Sequence, residues 1–181
     1  MDGKNSEGTG SLQTSHFLSW YAVYIMSRHE AKVEKVLQQK GVEVFLPRVM
    51  TPRRWRNRKV SLTLPLFPGY LFVNTCLDTN DYLMILKAPG VVRVLGNGSP
   101  TPVPGETVDS IKTIVESDQP FYPWRYLEKG KQVRVLDGPL AGTIGFIQGR
   151  KEKKRRLIVS VELFQRSVAV ELDDDAVERW S

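Results

Sequence analysis

Cysteine and histidine are scarce in this chain. Its 181 residues include one cysteine, Cys76, and two histidines, His16 and His29. A single cysteine excludes an internal disulfide, and these three side chains are too few for a structural zinc site. Neither histidine has a serine, cysteine or aspartate at the spacing of a nucleophilic site. We therefore predict no metal, no cofactor and no catalytic residues.

Long apolar runs are also missing. No stretch approaches the ~20 apolar residues that span a bilayer, and the N-terminus lacks the basic-then-apolar order of a secretory signal. These absences predict a cytoplasmic protein without a membrane partner. The chain is nevertheless 41% hydrophobic, which is enough for a packed core. Its net charge of +6 favours a polyanionic partner.

The N-terminal part of the chain alternates between strand and helix patterns. Residues 1–16 are polar and rich in glycine and serine, and they predict a disordered tail. Residues 17–117 predict an α+β domain, a split β-α-β (ferredoxin-like) open sheet with helices packed on it. The predicted strands cover residues 20–25, 42–49, 60–66, 70–73 and 91–95. Three helices are predicted. The first follows Ser27 and ends at Lys40, and the other two cover 78–87 and 106–116.

Two local signals refine this plan. Ser27 and Glu30 have the spacing of a capping box, in which the serine caps the first helix and the glutamate bonds back to it. Residues 50–59 contain five basic residues and no acid, and they lie between two predicted strands. We predict that these strands form a hairpin with a basic tip.

The C-terminal part has a different pattern. Residues 118–125 contain two prolines and no regular period, which is typical of a linker. From residue 126 to residue 181, short alternating runs are separated by glycine-containing turns. Four or five short strands in such a length predict a small all-β barrel.

Four sequence motifs carry a family resemblance. Trp20-Tyr21 opens the first strand, Leu-Phe-Pro-Gly-Tyr-Leu-Phe-Val covers 66–73, and Pro-Gly-Val covers 89–91. Together these resemble the N-terminal domain of the NusG family. Residues 130–145, GKQVRVLDGPLAGTIG, resemble the KOW motif of the C-terminal domain in the same family. The resemblance extends over essentially everything but the tail.

The resemblance implies a non-enzymatic transcription elongation or antitermination factor. Its N-terminal domain would bind the clamp helices of RNA polymerase through Tyr24, Phe67 and Tyr70. Its SH3-like KOW barrel would recruit a second partner, for which the family implies a ribosomal small-subunit protein or Rho. The basic hairpin and the Pro-Leu-Phe-Pro sequence at 65–68 are similar to specialised paralogues of the RfaH and polysaccharide-operon antiterminator type.

Each candidate residue also has a simpler interpretation. On burial statistics alone, Tyr24, Phe67 and Tyr70 are core aromatics, whereas the resemblance favours a groove for a partner helix. The hairpin tip has the composition of a nucleic-acid contact, to non-template DNA or nascent RNA, but a solvated turn is the alternative. The candidate nucleic-acid residues are Arg53, Arg54, Trp55, Arg56, Arg58 and Lys59.

Two other function classes remain open from the residues. A split β-α-β sheet is also the plan of RRM domains, so an RRM-like RNA-binding module is one alternative, and a ribosome-associated KOW protein is its variant. An enzyme is the third class. The chain has no phosphate-binding glycine-rich loop and no paired-carboxylate signature, so the sequence argues against catalysis.

Overall fold

A computed structural model of the chain describes residues 17–55, 58–125, 131–151, 154–173 and 177–180. The predicted tail, 1–16, lies outside the described residues, as does Arg56. The side chains of 53–59 also lie outside the described part. Within that part, none of the helices has the length and hydropathy needed to cross a membrane.

The N-terminal domain is mixed α and β, as predicted. Its strands are β1 (Ser19–Ile25), β2 (Glu43–Phe45), β3 (Arg48–Trp55), β4 (Arg58–Pro65), β5 (Tyr70–Thr75), β6 (Val91–Val94) and β7 (Pro102–Val103), and its helices are α1 (Glu30–Gln39), α2 (Thr79–Leu86) and α3 (Gly105–Glu116). Five strands form one antiparallel sheet in the order β2-β5-β1-β6, with β7 also paired to β1. Strands β3 and β4 form a separate two-stranded ribbon.

The first sheet is buried on both faces. Successive side chains of a strand point to opposite faces, so Ala22 and Val23 on β1 lie on the two opposite faces of the sheet. Both are fully buried. Val23 packs in a cluster with residues of α1 and α2, such as Leu37 and Ile85. Ala22 belongs to a second cluster, which contains residues of α3 and of the C-terminal half.

The C-terminal half is all-β, as predicted. Its strands are β8 (Phe121–Arg125), β9 (Lys131–Val135), β10 (Ile144–Lys151), β11 (Lys154–Val161), β12 (Arg166–Asp173) and β13 (Val177–Arg179). They form one antiparallel sheet in the order β13-β9-β10-β11-β12-β8. A short 3₁₀ turn, Glu162–Phe164, joins β11 to β12. We call this sheet and its turns the C-terminal domain.

The start of α1 differs from the predicted capping box. His29 occupies the N-cap position, and no side chain caps the helix. Arg28 adopts a left-handed backbone conformation, with φ of 65°. The Glu30 carboxylate accepts a hydrogen bond from the N–H of Gly69 instead of bonding back to Ser27. The predicted cap is therefore wrong, because the glutamate is used in a tertiary contact.

The predicted strand over 42–49 is divided between two sheets. Its first part is β2 at the edge of the main sheet, and its second part begins β3 of the ribbon. The ribbon is longer than predicted, since its ladder runs from Arg48 opposite Pro65 to Trp55 opposite Arg58. Pro52 is tolerated because each strand of a two-stranded ribbon is an edge. Most of residues 50–59, which we placed between the two predicted strands, is thus strand.

The segment predicted as a linker, 118–125, contains strand β8. This strand pairs with β12 from Phe121 opposite Val170 to Arg125 opposite Arg166. It lies at the edge of the sheet, where Pro123 costs no ladder hydrogen bond. The linker prediction is wrong for the residues of β8. We took the prolines as a sign of irregular chain, but a strand at the edge of a sheet tolerates a proline.

Candidate functional site

One face of the first sheet carries a row of aromatic side chains. Alternation along the strands places Trp20 and Tyr24 of β1 on the same face as Tyr70 and Phe72 of β5, and Phe45 of β2 extends the row. The Phe45 ring lies 5.9 Å from Phe72 and 6.5 Å from Trp20, measured between centroids. We call these five residues the aromatic surface. It is the face turned away from α1 and α2.

Tyr24 and Tyr70 form the end of this surface nearest the Phe67–Tyr70 turn. They are directly opposite one another in the β1–β5 ladder, and their ring centroids are 5.3 Å apart. Tyr24 is 37% exposed. Tyr70 is half-buried. The structure therefore brings these two predicted site residues together and leaves Tyr24 accessible from outside.

Phe67, the third predicted residue, is a core side chain. It is 1% exposed, and its ring packs edge-on against Phe72 at 6.4 Å. In this arrangement Phe67 is a buried neighbour of the aromatic surface.

A side chain of the C-terminal domain covers part of the aromatic surface. The Phe164 ring is stacked on Tyr70, with centroids 4.4 Å apart and an interplanar angle of 12°. It also contacts Phe67 at 5.4 Å and Phe72 at 6.0 Å. Phe164 is 9% exposed as a result. Such aromatic pairs contribute about 0.5–1.5 kcal/mol each beyond the area they bury.

Helix α3 provides a second contact between the domains. The Ile144 N–H at the start of β10 donates a 2.9 Å hydrogen bond to Oγ of Ser110. Ser110 is buried, and its neighbours Val108 and Ile111 join the same hydrophobic cluster as Leu140 of the C-terminal domain. A backbone donor that bonds to a side chain of the other domain makes the docking geometry specific.

Glu30 holds the turn that carries Phe67 and Tyr70. Its carboxylate is buried and accepts a 2.9 Å hydrogen bond from the N–H of Gly69. The Gly69 carbonyl in turn accepts a 2.8 Å bond from the N–H of Ile25. Gly69 has φ of +83°, a conformation that favours glycine. The turn is thus fixed to α1 on one side and to β1 on the other.

The base of the β3–β4 ribbon is tied to the first helix. The Arg48 guanidinium forms an ion pair with the carboxylate of Glu34 on α1. The Leu66 N–H closes the ribbon with a 2.8 Å bond to the Pro47 carbonyl. The ladder places Arg54 opposite Lys59 and Trp55 opposite Arg58. The candidate nucleic-acid side chains on this ribbon lie outside the described part, so their role stays a prediction.

Charges of the C-terminal sheet are partly neutralised across its strands. Arg156 lies opposite Glu171 in the β11–β12 ladder, with 3.8 Å between the charged atoms. Its guanidinium also donates a 3.0 Å hydrogen bond to the Tyr122 hydroxyl and lies 4.5 Å from the centre of the Trp124 ring. The side chain of Arg156 is therefore engaged within its own domain.

Phe164 and Ser110 make contacts between the two domains that sequence analysis missed. We assigned Phe164 no role from the sequence, although a large aromatic residue in a tight turn is a sign of a tertiary contact. Ser110 interrupts the apolar stripe of the third predicted helix, and no feature of the sequence marks it as a docking residue.

Comparison with known proteins identifies the family. A family model described as "Transcription termination factor nusG" matches residues 18–112. The "Transcription termination/antitermination protein NusG" of Escherichia coli strain K12 is 31% identical over 179 residues, covering 88% of this chain and 95% of the relative. The protein of the same name from Staphylococcus carnosus strain TM300 is 28% identical, covering 88% and 94%. A solved structure entitled "Domain interaction in Thermotoga maritima NusG" has the same fold, with a TM-score of 0.54, 23% identity, and coverage of 91% of this chain and 98% of that one.

Proposed function

The chain belongs to the NusG family of transcription termination and antitermination factors, and from this premise we propose that it binds the clamp helices of RNA polymerase through its aromatic surface. Tyr24 and Tyr70 are the contact residues in this proposal, and Phe67 packs against their neighbour Phe72. The observation that carries it is the pair of facing tyrosines at the end of the aromatic surface, where Tyr24 is 37% exposed and Tyr70 is covered only partly, by Phe164. Exposed aromatic side chains of this kind are typical anchors for a partner helix.

We propose that the docked arrangement is a resting state. Phe164 occupies the position that a clamp helix would need, so polymerase and the C-terminal domain compete for Tyr70. Polymerase that binds only the undocked form shifts the population toward that form. Undocking also exposes Phe164, which is then free to contact the second factor that the C-terminal domain recruits. The protein forms and breaks no covalent bond in this mechanism.

One feature supports this proposal over an RRM-like function. RRM domains bind RNA on an open sheet face, with aromatic residues that stack on bases. In this chain the corresponding face is covered by α3 and by Phe164. Binding of a short single-stranded RNA by the full chain without polymerase would favour the RRM-like alternative.

Capture of purified RNA polymerase tests the contact residues. We expect Phe164→Asp to increase capture, because a carboxylate does not stack on Tyr70 and cannot remain buried there. In that undocked background, Tyr24→Ala should weaken capture by about tenfold or more, since an aromatic anchor contributes ~2 kcal/mol. Phe17→Ala is the matched control, because Phe17 is an aromatic residue near the other end of β1 and is 79% exposed.

Two outcomes of this capture experiment would contradict the proposal. Equal capture by Phe164→Asp with and without Tyr24→Ala would contradict the proposed contact, provided that both variants unfold cooperatively. A loss of capture with Phe17→Ala as large as with Tyr24→Ala would show that the aromatic surface has no special part in binding.

The specialised-paralogue hypothesis is a separate part of the proposal. It rests on the basic β3–β4 ribbon and on the Pro-Leu-Phe-Pro sequence at 65–68. It predicts that chromatin immunoprecipitation of the protein recovers a few transcription units only. Recovery of most transcribed genes would instead indicate a general elongation factor.

A further inference from the structure

A cavity of about 750 Å³ lies between the two domains, on the side of the β3–β4 ribbon. The N-terminal domain contributes Val49, Leu64 and Phe67 to its lining, together with Arg28 from the turn before α1. The C-terminal domain contributes Trp124 from β8 and Arg166 from β12. Cavities that hold small organic molecules have volumes of about 300–1,000 Å³ and are mostly apolar. The size and lining therefore suit a small organic ligand.

The apolar wall continues beyond the cavity along the ribbon. Leu64 lines the cavity, and Leu62 and Val60 follow it on the same face of β4 because alternate residues of a strand share a face. Leu62 is 41% exposed and Val60 is 39% exposed. A ligand with an extended hydrocarbon or aromatic part would bury both of these side chains.

The charged residues of the lining favour an anion. Arg28 and Arg166 come from different domains, and neither forms an ion pair with a described residue. Glu30 also lines the cavity, but its carboxylate accepts the hydrogen bond from Gly69 and is buried. Arginine binds carboxylate, sulfonate and phosphate groups through several N–H donors at once. The complementary ligand has one acidic group beside an apolar body.

We propose that this cavity binds a small amphipathic organic anion and that the bound ligand holds the two domains together. The site exists only when the domains are docked, because its two arginines and its apolar walls are divided between them. A ligand that binds only the docked form stabilises that form in proportion to its concentration and affinity. The consequence, weaker capture of polymerase in the presence of ligand, rests on the function proposed above.

Fluorescence titration with 8-anilinonaphthalene-1-sulfonate tests the site, since this probe is an aromatic anion that fluoresces in apolar surroundings. We expect saturable binding of one probe per wild-type chain. Thr51→Trp should abolish it, because Thr51 lines the cavity and the larger side chain fills it. Thr63→Trp is the matched control, since Thr63 is exposed and pairs with Met50 on the other face of the ribbon.

A second variant tests the charge. Arg166 is exposed, so Arg166→Gln leaves the core intact and provides the test if Thr51→Trp fails to fold. We expect it to weaken binding of the anionic probe by about tenfold, the effect of losing one charge-assisted hydrogen bond. Binding of the neutral probe N-phenyl-1-naphthylamine should stay unchanged. Arg179→Gln removes an exposed arginine on β13 and should change the affinity for neither probe.

The outcomes separate this proposal from the proposed function. Equal binding of the anionic probe by the Thr51→Trp and Thr63→Trp variants would overturn the cavity site, whatever the result with polymerase. Equal weakening of the anionic and the neutral probe by Arg166→Gln would overturn the anion preference. If the probe binds as expected but polymerase is not captured by any variant, the cavity site stands and the proposed function fails.

Discussion

At the scale of single residues, contacts with other elements of the same domain decide some positions more than the local chain does. Glu30 leaves its helix cap unmade and bonds to the turn before β5. Gly145 shows a similar constraint in the C-terminal sheet, where an added Cβ would lie 2.6 Å from the Ile158 carbonyl oxygen. Residue type at these positions is decided by contacts between elements, because the local chain alone would accept several alternatives.

Glu30→Ala should lower the free energy of unfolding by about 1–3 kcal/mol, because it leaves the buried Gly69 N–H without its acceptor. Urea denaturation followed by circular dichroism measures the change. Glu106→Ala is the matched control, since Glu106 is an exposed glutamate in the first turn of α3. An equal loss in both variants would mean that the effect of Glu30 comes from the helix dipole and not from the turn.

At the scale of elements, the β3–β4 ribbon combines a fixed base with a strongly basic end. The Arg48–Glu34 ion pair and the Leu66–Pro47 hydrogen bond hold its base against α1. Its other end carries five cations between residues 53 and 59. An element with this charge, held in one orientation by its base, suits contact with phosphates.

If the ribbon binds single-stranded DNA through these five cations, the logarithm of the binding constant should fall with the logarithm of salt with a slope of about −3.5. Neutralising Arg53, Arg54 and Arg58 with glutamine should make that slope less steep by about 2. Filter binding over a range of salt concentrations measures it. Neutralising Lys151, Lys153 and Lys154 is the control. An unchanged slope in the first variant would exclude the ribbon as the phosphate contact.

At the scale of the whole molecule, the two domains share one hydrophobic cluster. Val108 and Phe72 of the N-terminal domain belong to the same cluster as Phe164 and Val168 of the C-terminal domain. The interface is closed on one side by Phe164 and on another by the Ser110–Ile144 hydrogen bond. The interface therefore combines a shared apolar core with one aromatic stack and one directional hydrogen bond.

We expect Phe164→Asp to separate the domains, because the free-energy cost of burying an unpaired carboxylate exceeds the stabilisation that the docked contacts provide. Small-angle X-ray scattering should show a larger radius of gyration. Leu136→Asp adds the same charge to the same domain at a position that is 54% exposed, and it should leave the radius unchanged. An unchanged radius in both variants would show that Phe164 is not essential for docking.

The sequence by itself determined the family and the division into a mixed α and β part and an all-β part, and it named Tyr24 and Tyr70, whose part in binding stays a proposal. These follow from local periodicity and from motifs that lie close together in the chain. Only the tertiary structure decided that Phe67 is buried, that part of the predicted linker is strand β8, and that Phe164 covers Tyr70. Each of these depends on contacts between residues far apart in the chain. Such contacts are set by the packing of whole domains, which local patterns of hydrophobicity and charge do not encode.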